Sequence, residues 1–119
     1  MSNFSLSSRA AQEGIAVMMP SGYINDIAAA SLERMSEQFL DDGLRKLVVN
    51  FTDVQFINTI GLSIFLGIVQ KTLEFKSMLC FTNLKKDHRE ILEMAGLTKY
   101  VKIFKDEDDA FNYLNGRRT

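Results

Sequence analysis

Four short apolar runs are spaced along this chain, at residues 15–19, 47–51, 78–81 and 101–104. Their length and their content of Val, Ile, Leu and Phe are typical of strands that are covered on both faces. Helical patterns follow each of these runs. A chain that alternates strands with helices in this way builds a mostly parallel sheet through right-handed crossovers, with helices covering its faces.

The helical segments carry their own start and stop signals. Asn25 or Asp26 can cap the first helix, in which Ala28, Leu32, Met35 and Phe39 form an apolar stripe and which Gly43 ends. The second helix is predicted from Thr59 to about Lys76. The third begins in a capping box at Asp87-His88-Arg89-Glu90 and stops at Gly96, and the fourth runs from the cap Asp106 to Gly116. Residues 4–12 are predicted to form a hairpin with the first run across Glu13-Gly14, which gives the order ββαβαβαβα.

Composition limits the class of protein. Of the 119 residues, 46% are hydrophobic and 24% charged, and no linker or repeat interrupts the chain, so we expect one domain over 1–119 with irregular ends at 1–3 and 116–119. A net charge of -1 argues against nucleic-acid binding. Neither a secretory signal nor an apolar stretch of about 20 residues is present, so a cytoplasmic protein without membrane insertion is expected.

The usual catalytic and metal-binding signatures are missing. The chain has one cysteine and one histidine, too few for a zinc site, and no glycine-rich phosphate loop. Cys80 lies in an apolar run and is expected to be buried and inert. His88 lies in a capping segment and is expected to be solvated. We therefore expect no enzymatic turnover, no cofactor and no metal.

The junction at residues 50–62 is where the sequence most directly suggests chemistry. A strand leads into it, a helix leads out, and Asn58 and Thr59 are small polar residues between apolar neighbours. A hydroxyl at a helix start lies where backbone N–H groups point outward and a negative charge is tolerated. Thr59 is therefore the candidate for a chemical switch, with a plain helix cap as the alternative.

Asp53 offers a second interpretation, a receiver-type phosphoacceptor. That chemistry needs further acids at the end of the first strand to hold magnesium, and a lysine after the last strand. Here the early strand ends in Pro20-Ser21-Gly22, which contains no acid, and only Lys105 matches the pattern. This interpretation stays open as the weaker alternative.

The junction also resembles the signature of STAS domains, in particular the bacterial anti-sigma factor antagonists. Residues 50–62 read Asn-Phe-Thr-Asp-Val-Gln-Phe-Ile-Asn-Thr-Ile-Gly-Leu, against a family pattern of roughly Asp-Leu/Phe-Ser-x-Val-x-Phe-Ile/Met-Asp-Ser-Ser/Thr-Gly-Leu. The turn at 22–25, the helix end at 91–97 and the C-terminal segment from Ile103 to Ala110 resemble the family too. The resemblance implies an α/β fold of one STAS-like domain, with a mixed, mostly parallel sheet flanked by about four helices.

The function that the resemblance implies is partner switching. The unmodified antagonist binds an anti-sigma factor that is also a serine/threonine switch kinase. Phosphorylation at the position of Thr59 releases it, and a PP2C-type phosphatase restores it. The expected contact surface consists of Tyr23, Ile24, Asn25, Asn58, Thr59, Ile60, Ser63 and Ile64.

Two positions depart from the family pattern. Asn58 stands where the family has Asp, and Ile60 where it has Ser or Thr. They keep a further alternative open, a STAS module that binds a partner in a larger signalling or transport assembly without being phosphorylated, where Thr59 would only cap the helix. The apolar surface could also serve self-association into a homodimer.

Overall fold

A mixed sheet of six strands with four α-helices is formed by residues 4–11 and 14–116, which are the residues that the computed structural model describes. The strands are β1 (Ser5–Ala11), β2 (Ile15–Ile24), β3 (Lys46–Asn50), β4 (Asp53–Ile57), β5 (Met78–Thr82) and β6 (Lys102–Phe104). The helices are α1 (Asp26–Asp41), α2 (Thr59–Glu74), α3 (Lys86–Met94) and α4 (Glu107–Leu114), with a 3-10 turn at Leu97–Lys99. The predicted α/β fold is confirmed.

The strand order is β1-β2-β3-β5-β6, and only the β1–β2 pair is antiparallel. β4 was not predicted as a strand. It follows β3 after a break at Phe51 and Thr52, and it pairs in parallel with the second half of β2, whose first half pairs with β3. The two short strands therefore lie one after the other along β2, and β4 leads directly into α2.

Two apolar layers hold the helices on the sheet. On one face, helices α1, α2 and α3 cover the larger layer, which contains the contacting rings of Phe51, Phe65 and Phe81 with centroids 5.1 to 5.9 Å apart. On the other face, α4 covers the smaller layer, in which Cys80 lies. The thiol is buried as predicted, and desolvation by this burial raises the pKa of Cys80 to about 12.

Most helix ends follow the sequence signals. The side chains of Asn25 and Asp106 accept the N–H groups of Ala28 and Asp109, each at 3.0 Å. Gly43 and Gly96 adopt the left-handed conformation with φ of +93° and +79°, where a side chain would be strained. α2 ends at Glu74, two residues before the predicted Lys76.

The predicted capping box of α3 is wrong. The helix starts at Lys86, after Lys85, whose side chain makes no cap hydrogen bond. Asp87 is therefore already inside the first turn, and its carboxylate accepts the N–H of His88 at 3.1 Å.

The β1–β2 hairpin is confirmed by a register that runs from Ser5 opposite Ser21 to Ala11 opposite Ile15. Glu13 of its predicted turn lies outside the described residues, as do residues 1–3 and 117–119 of the predicted irregular ends. Within the described part of the chain, no helix has both the length and the apolar character that crossing a membrane requires.

Candidate functional site

The junction between β4 and α2 is built against the end of β2. The N–H of Asn58 donates to the carbonyl oxygen of Ile24 at 3.0 Å, which ties the start of α2 to the last residue of β2. Gly61 comes so close to the same carbonyl that a Cβ atom there would lie 2.8 Å from it. Only glycine allows this approach without a shift of the backbone. The starts of α1 and α2 therefore lie side by side at the carboxyl edge of the sheet, where sites in such folds gather.

Asn58, and not Thr59, caps α2. The side-chain oxygen of Asn58 accepts the N–H of Gly61 at 2.8 Å, and its carbonyl oxygen accepts the N–H of Leu62 at 3.0 Å. Thr59 is therefore not the helix cap, and the role of a plain cap that the sequence offered for it is wrong. Asn58 has the extended backbone of a cap, whereas Thr59 is the first helical residue.

Thr59 presents a hydroxyl that the fold does not use. Its side chain is exposed, and among the described residues the hydroxyl has no hydrogen-bond partner. The first N–H groups of a helix have no acceptor within the helix, and the aligned peptide dipoles give that end a partial positive charge. The position can therefore accept a negative group at little cost to the fold.

Four exposed apolar side chains lie on the elements that meet at this junction. Tyr23 and Phe56 lie opposite each other on β2 and β4, with their rings edge to face and their centroids 5.2 Å apart. Ile27 extends from the first turn of α1 and Ile60 from the first turn of α2. The exposed fraction of these four side chains lies between 43% and 71%. We call Tyr23, Ile27, Phe56 and Ile60 the junction surface.

Three side chains of the expected contact set are not available as expected. Ile24 is wrong as a contact residue: it is fully buried, because its side chain faces the larger apolar layer on the same side as Ala28. Asn25 and Asn58 are partly exposed, but their side chains are engaged as helix caps.

The other five expected residues reach the surface. Tyr23, Thr59, Ile60 and Ser63 are exposed and Ile64 is partly exposed. The sequence interpretation missed Ile27 and Phe56. Ile27 could have been found, because it is apolar and lies outside the stripe that α1 buries. Phe56 carried no such signal, since a regular strand would place it on the same face as the buried Val54.

The receiver alternative finds no support in the geometry around Asp53. Asp53 is an exposed residue at the start of β4, and Lys105 forms its ion pair with Asp109 at 3.8 Å. Over residues 4–11 and 14–116, no group of three His, Cys, Asp or Glu side chains is placed to hold a metal ion.

His88 was predicted to be solvated, and this is wrong. Only 2% of its surface is exposed, because α3 places it against β4. Its Nε2 lies 3.1 Å from the carbonyl oxygen of Gln55. A carbonyl can only accept, so the ring donates through Nε2–H. The buried Nδ1 has no partner among the described residues.

Comparison with known proteins identifies the family to which this fold belongs. The family model described as STAS domain matches residues 8–110. The TM1081 homolog of Thermotoga neapolitana, named as an anti-sigma factor antagonist, is 21% identical over 106 residues, which are 88% of this chain and 94% of that protein. The crystal structure of TM1081 from Thermotoga maritima superposes with a TM-score of 0.83 at 17% identity, covering 92% of this chain and 94% of that one.

The fold is also shared with proteins of different settings. The anti-sigma factor antagonist SpoIIAA, a Bacillus cell fate determinant, is 14% identical. Its unphosphorylated form has a TM-score of 0.80 over 97% of this chain and all of SpoIIAA, and its phosphorylated form has 0.72 over 92% and 99%. The murine anion transporter Slc26a9 matches with a TM-score of 0.66 at 11% identity, over 87% of this chain but only 18% of the transporter.

Proposed function

Since the chain belongs to the STAS domain family, we propose that it is an anti-sigma factor antagonist that acts by partner switching. In its unmodified form it binds an anti-sigma factor that is also a serine/threonine kinase. Phosphorylation of Thr59 releases it, and a PP2C-type phosphatase returns it to the binding form. The chain itself performs no catalysis in this cycle and serves as the binding protein on which the two enzymes act.

The observation that carries the proposal is the division of roles between Asn58 and Thr59. The side-chain oxygen of Asn58 accepts the cap hydrogen bond from Gly61. The Thr59 hydroxyl is therefore left exposed and unused at the first position of α2. A kinase can reach such a hydroxyl without unfolding the helix. SpoIIAA, which shares this fold, has been solved with and without its phosphate.

The surroundings of Thr59 explain how a phosphate would release a partner. A phosphate adds about 1.5 to 2 negative charges at neutral pH. The junction surface is apolar, and its member Ile60, the residue after Thr59 in the first turn of α2, is 57% exposed. A partner that buries this surface would have to desolvate the phosphate as well, and burying an unpaired charge is expensive. The folded domain keeps its phosphate in water and at the helix N-terminus, so binding is lost while the fold remains.

The test is phosphorylation by purified candidate anti-sigma kinases of the host with Mg-ATP, followed by phosphosite mass spectrometry. We expect one acid-stable phosphate on Thr59. Thr59→Ala should abolish it and keep kinase binding, and Thr59→Glu should weaken binding. Ser63→Ala is the matched control, because Ser63 is an exposed hydroxyl one turn further along α2. Phosphate on Ser63, or acid-labile phosphate on Asp53, would contradict the proposal.

A second candidate function is a STAS module that binds without being phosphorylated. Ile60 favours it, since a bulky exposed side chain takes the place of a small residue beside the hydroxyl. The Slc26a9 match shows the same fold inside a transporter. In this case no kinase would modify Thr59, Thr59→Ala would bind its partner normally, and substitution of Phe56 or Ile60 by a charged residue would abolish binding.

A further inference from the structure

One residue of β4 has no counterpart in the strand with which it pairs. Gly22 of β2 lies opposite Val54, but the next residue, Tyr23, lies opposite Phe56, so the register skips Gln55. An extra residue of this kind is a β-bulge, and bulges are rare between parallel strands. Something must therefore stabilise it here.

The bulge decides which way the following side chains face. In a regular strand Val54 and Phe56 would share one face and Ile57 would take the other. With Gln55 inserted, Val54 and Ile57 are both buried in the larger apolar layer and Phe56 is 53% exposed. The exposed Tyr23–Phe56 ring pair therefore exists because of the bulge.

Helix α3 and the residue just before it supply the groups that hold the bulged strand. The backbone carbonyl of a bulged residue loses its place in the ladder and needs another donor. His88 provides one through Nε2–H at 3.1 Å from the carbonyl oxygen of Gln55. The ammonium group of Lys85 donates to the carbonyl oxygen of Val54 at 3.3 Å. Of the two donors, His88 is the buried one, whereas Lys85 is exposed.

We propose that His88 is a positioning residue for partner binding: its hydrogen bond to Gln55 fixes the bulge in β4 and thereby turns Phe56 outward into the junction surface. The role in binding rests on the proposed function above, whereas the positioning itself does not. The hydrogen bond of His88 would thereby link α3, which contributes no residue to the junction surface, to the surface that the Thr59 phosphate would control.

The positioning can be tested on the isolated chain of 119 residues. The sequence contains no tryptophan, so Phe56→Trp introduces a single reporter at the exposed position. In this background we expect solvent-exposed emission that iodide quenches. Adding His88→Leu puts an apolar group of similar bulk in place of the imidazole and removes the donor, and should shift the emission to the blue with a severalfold loss of quenching. His88→Gln, whose amide N–H can take the place of Nε2–H, should restore the exposed emission.

Unchanged emission and quenching in a folded His88→Leu protein would overturn the proposal. If that variant does not fold, ¹⁵N NMR of the unsubstituted protein decides. The Nε2–H tautomer with a coupling across the hydrogen bond to Gln55 supports the role, and the Nδ1–H tautomer refutes it. Neither measurement involves a kinase, so failure here leaves the Thr59 assay unaffected. Where a kinase is found to phosphorylate Thr59, its affinity should fall severalfold with His88→Leu and recover with His88→Gln.

Discussion

Gly61 gives the sharpest test of how the junction is built. In the substitution Gly61→Ala, the new methyl group would lie 2.8 Å from the carbonyl oxygen of Ile24, about 0.6 Å inside ordinary van der Waals contact. The obstructing atom belongs to the backbone of a buried strand end. It also accepts the N–H of Asn58 at 3.0 Å, so it is held in place from the side of α2 as well.

The size of the effect follows from two opposing terms. Replacing glycine by alanine favours a helix by up to ~1 kcal/mol, whereas forcing one extra carbon into a packed site costs ~1 to 3 kcal/mol. Relieving the clash by moving α2 would also lengthen the hydrogen bond between Asn58 and Ile24 and strain the Asn58 cap, whose oxygen lies 3.3 Å from the new methyl group. We expect a net loss of about 1 to 2 kcal/mol in the free energy of unfolding.

Gly67 provides the matched control in the same helix. A methyl group there would meet only the carboxylate end of Glu33 at 3.1 Å, and that flexible side chain can move away. Gly67→Ala should therefore raise the free energy of unfolding by ~0.5 to 1 kcal/mol.

Urea unfolding followed by far-UV circular dichroism compares the two variants with the parent chain, with unchanged m-values as the check on two-state behaviour. The two glycines are expected to respond with opposite signs. Equal or greater stability of Gly61→Ala would refute the claim that the close approach of α2 to Ile24 needs a glycine. A similar loss in both variants would refute the distinction between a fixed backbone atom and a movable side chain.

Three further predictions concern the cap, the hydroxyl and the thiol. Asn58→Ala should cost about 1 kcal/mol in urea unfolding, because the N–H of Gly61 loses its acceptor, whereas Asn58→Asp should keep the cap and gain ~0.3 to 1 kcal/mol from the helix dipole. Thr59→Ala should change stability by less than about 0.5 kcal/mol, and a loss as large as that of Asn58→Ala would show that the hydroxyl is structural. Burial keeps the Cys80 thiol protonated to about pH 12, while in the unfolded chain it ionises near 9, so stability should fall between these values by up to ~1.4 kcal/mol per pH unit. Cys80→Ala should remove that part of the slope in pH-dependent unfolding, and an identical slope would refute the contribution of the thiol.

The parts of the fold that the sequence predicted are those with a local physical signal. Apolar runs marked the strands β2, β3, β5 and β6, and caps and glycines such as Asn25 and Gly96 marked helix ends. β4 escaped because its bulge breaks the alternation of buried and exposed residues that identifies a half-buried strand. The capping box failed for another reason: its residue types fit a helix start, but the burial of His88 against β4 is a tertiary interaction.

The candidate site also divides into residues that a local sequence signal indicates and residues whose position depends on tertiary contacts. Thr59, Ile60 and Tyr23, to which a motif and a helix start pointed, are exposed as a contact surface requires. Ile24 was misplaced and Phe56 was missed because the facing of a strand residue depends on its register with a distant strand. A one-residue shift in that register exchanges surface for core, and no local pattern in residues 53–57 reveals it.

The junction separates the requirements of the fold from those of a switch. Asn58 supplies the cap, Gly61 allows the close approach to Ile24, and both tasks are complete without the side chain of Thr59. A hydroxyl that contributes nothing to stability can be modified without loss of structure, and a phosphate at this helix end would interact favourably with the dipole by ~0.3 to 1 kcal/mol. The effect of a phosphate would then fall almost wholly on a partner that covers the junction surface. The bulge would have the complementary role under the proposed function, because it exposes the Tyr23–Phe56 ring pair, the apolar contact that would make such a partner sensitive to a neighbouring charge.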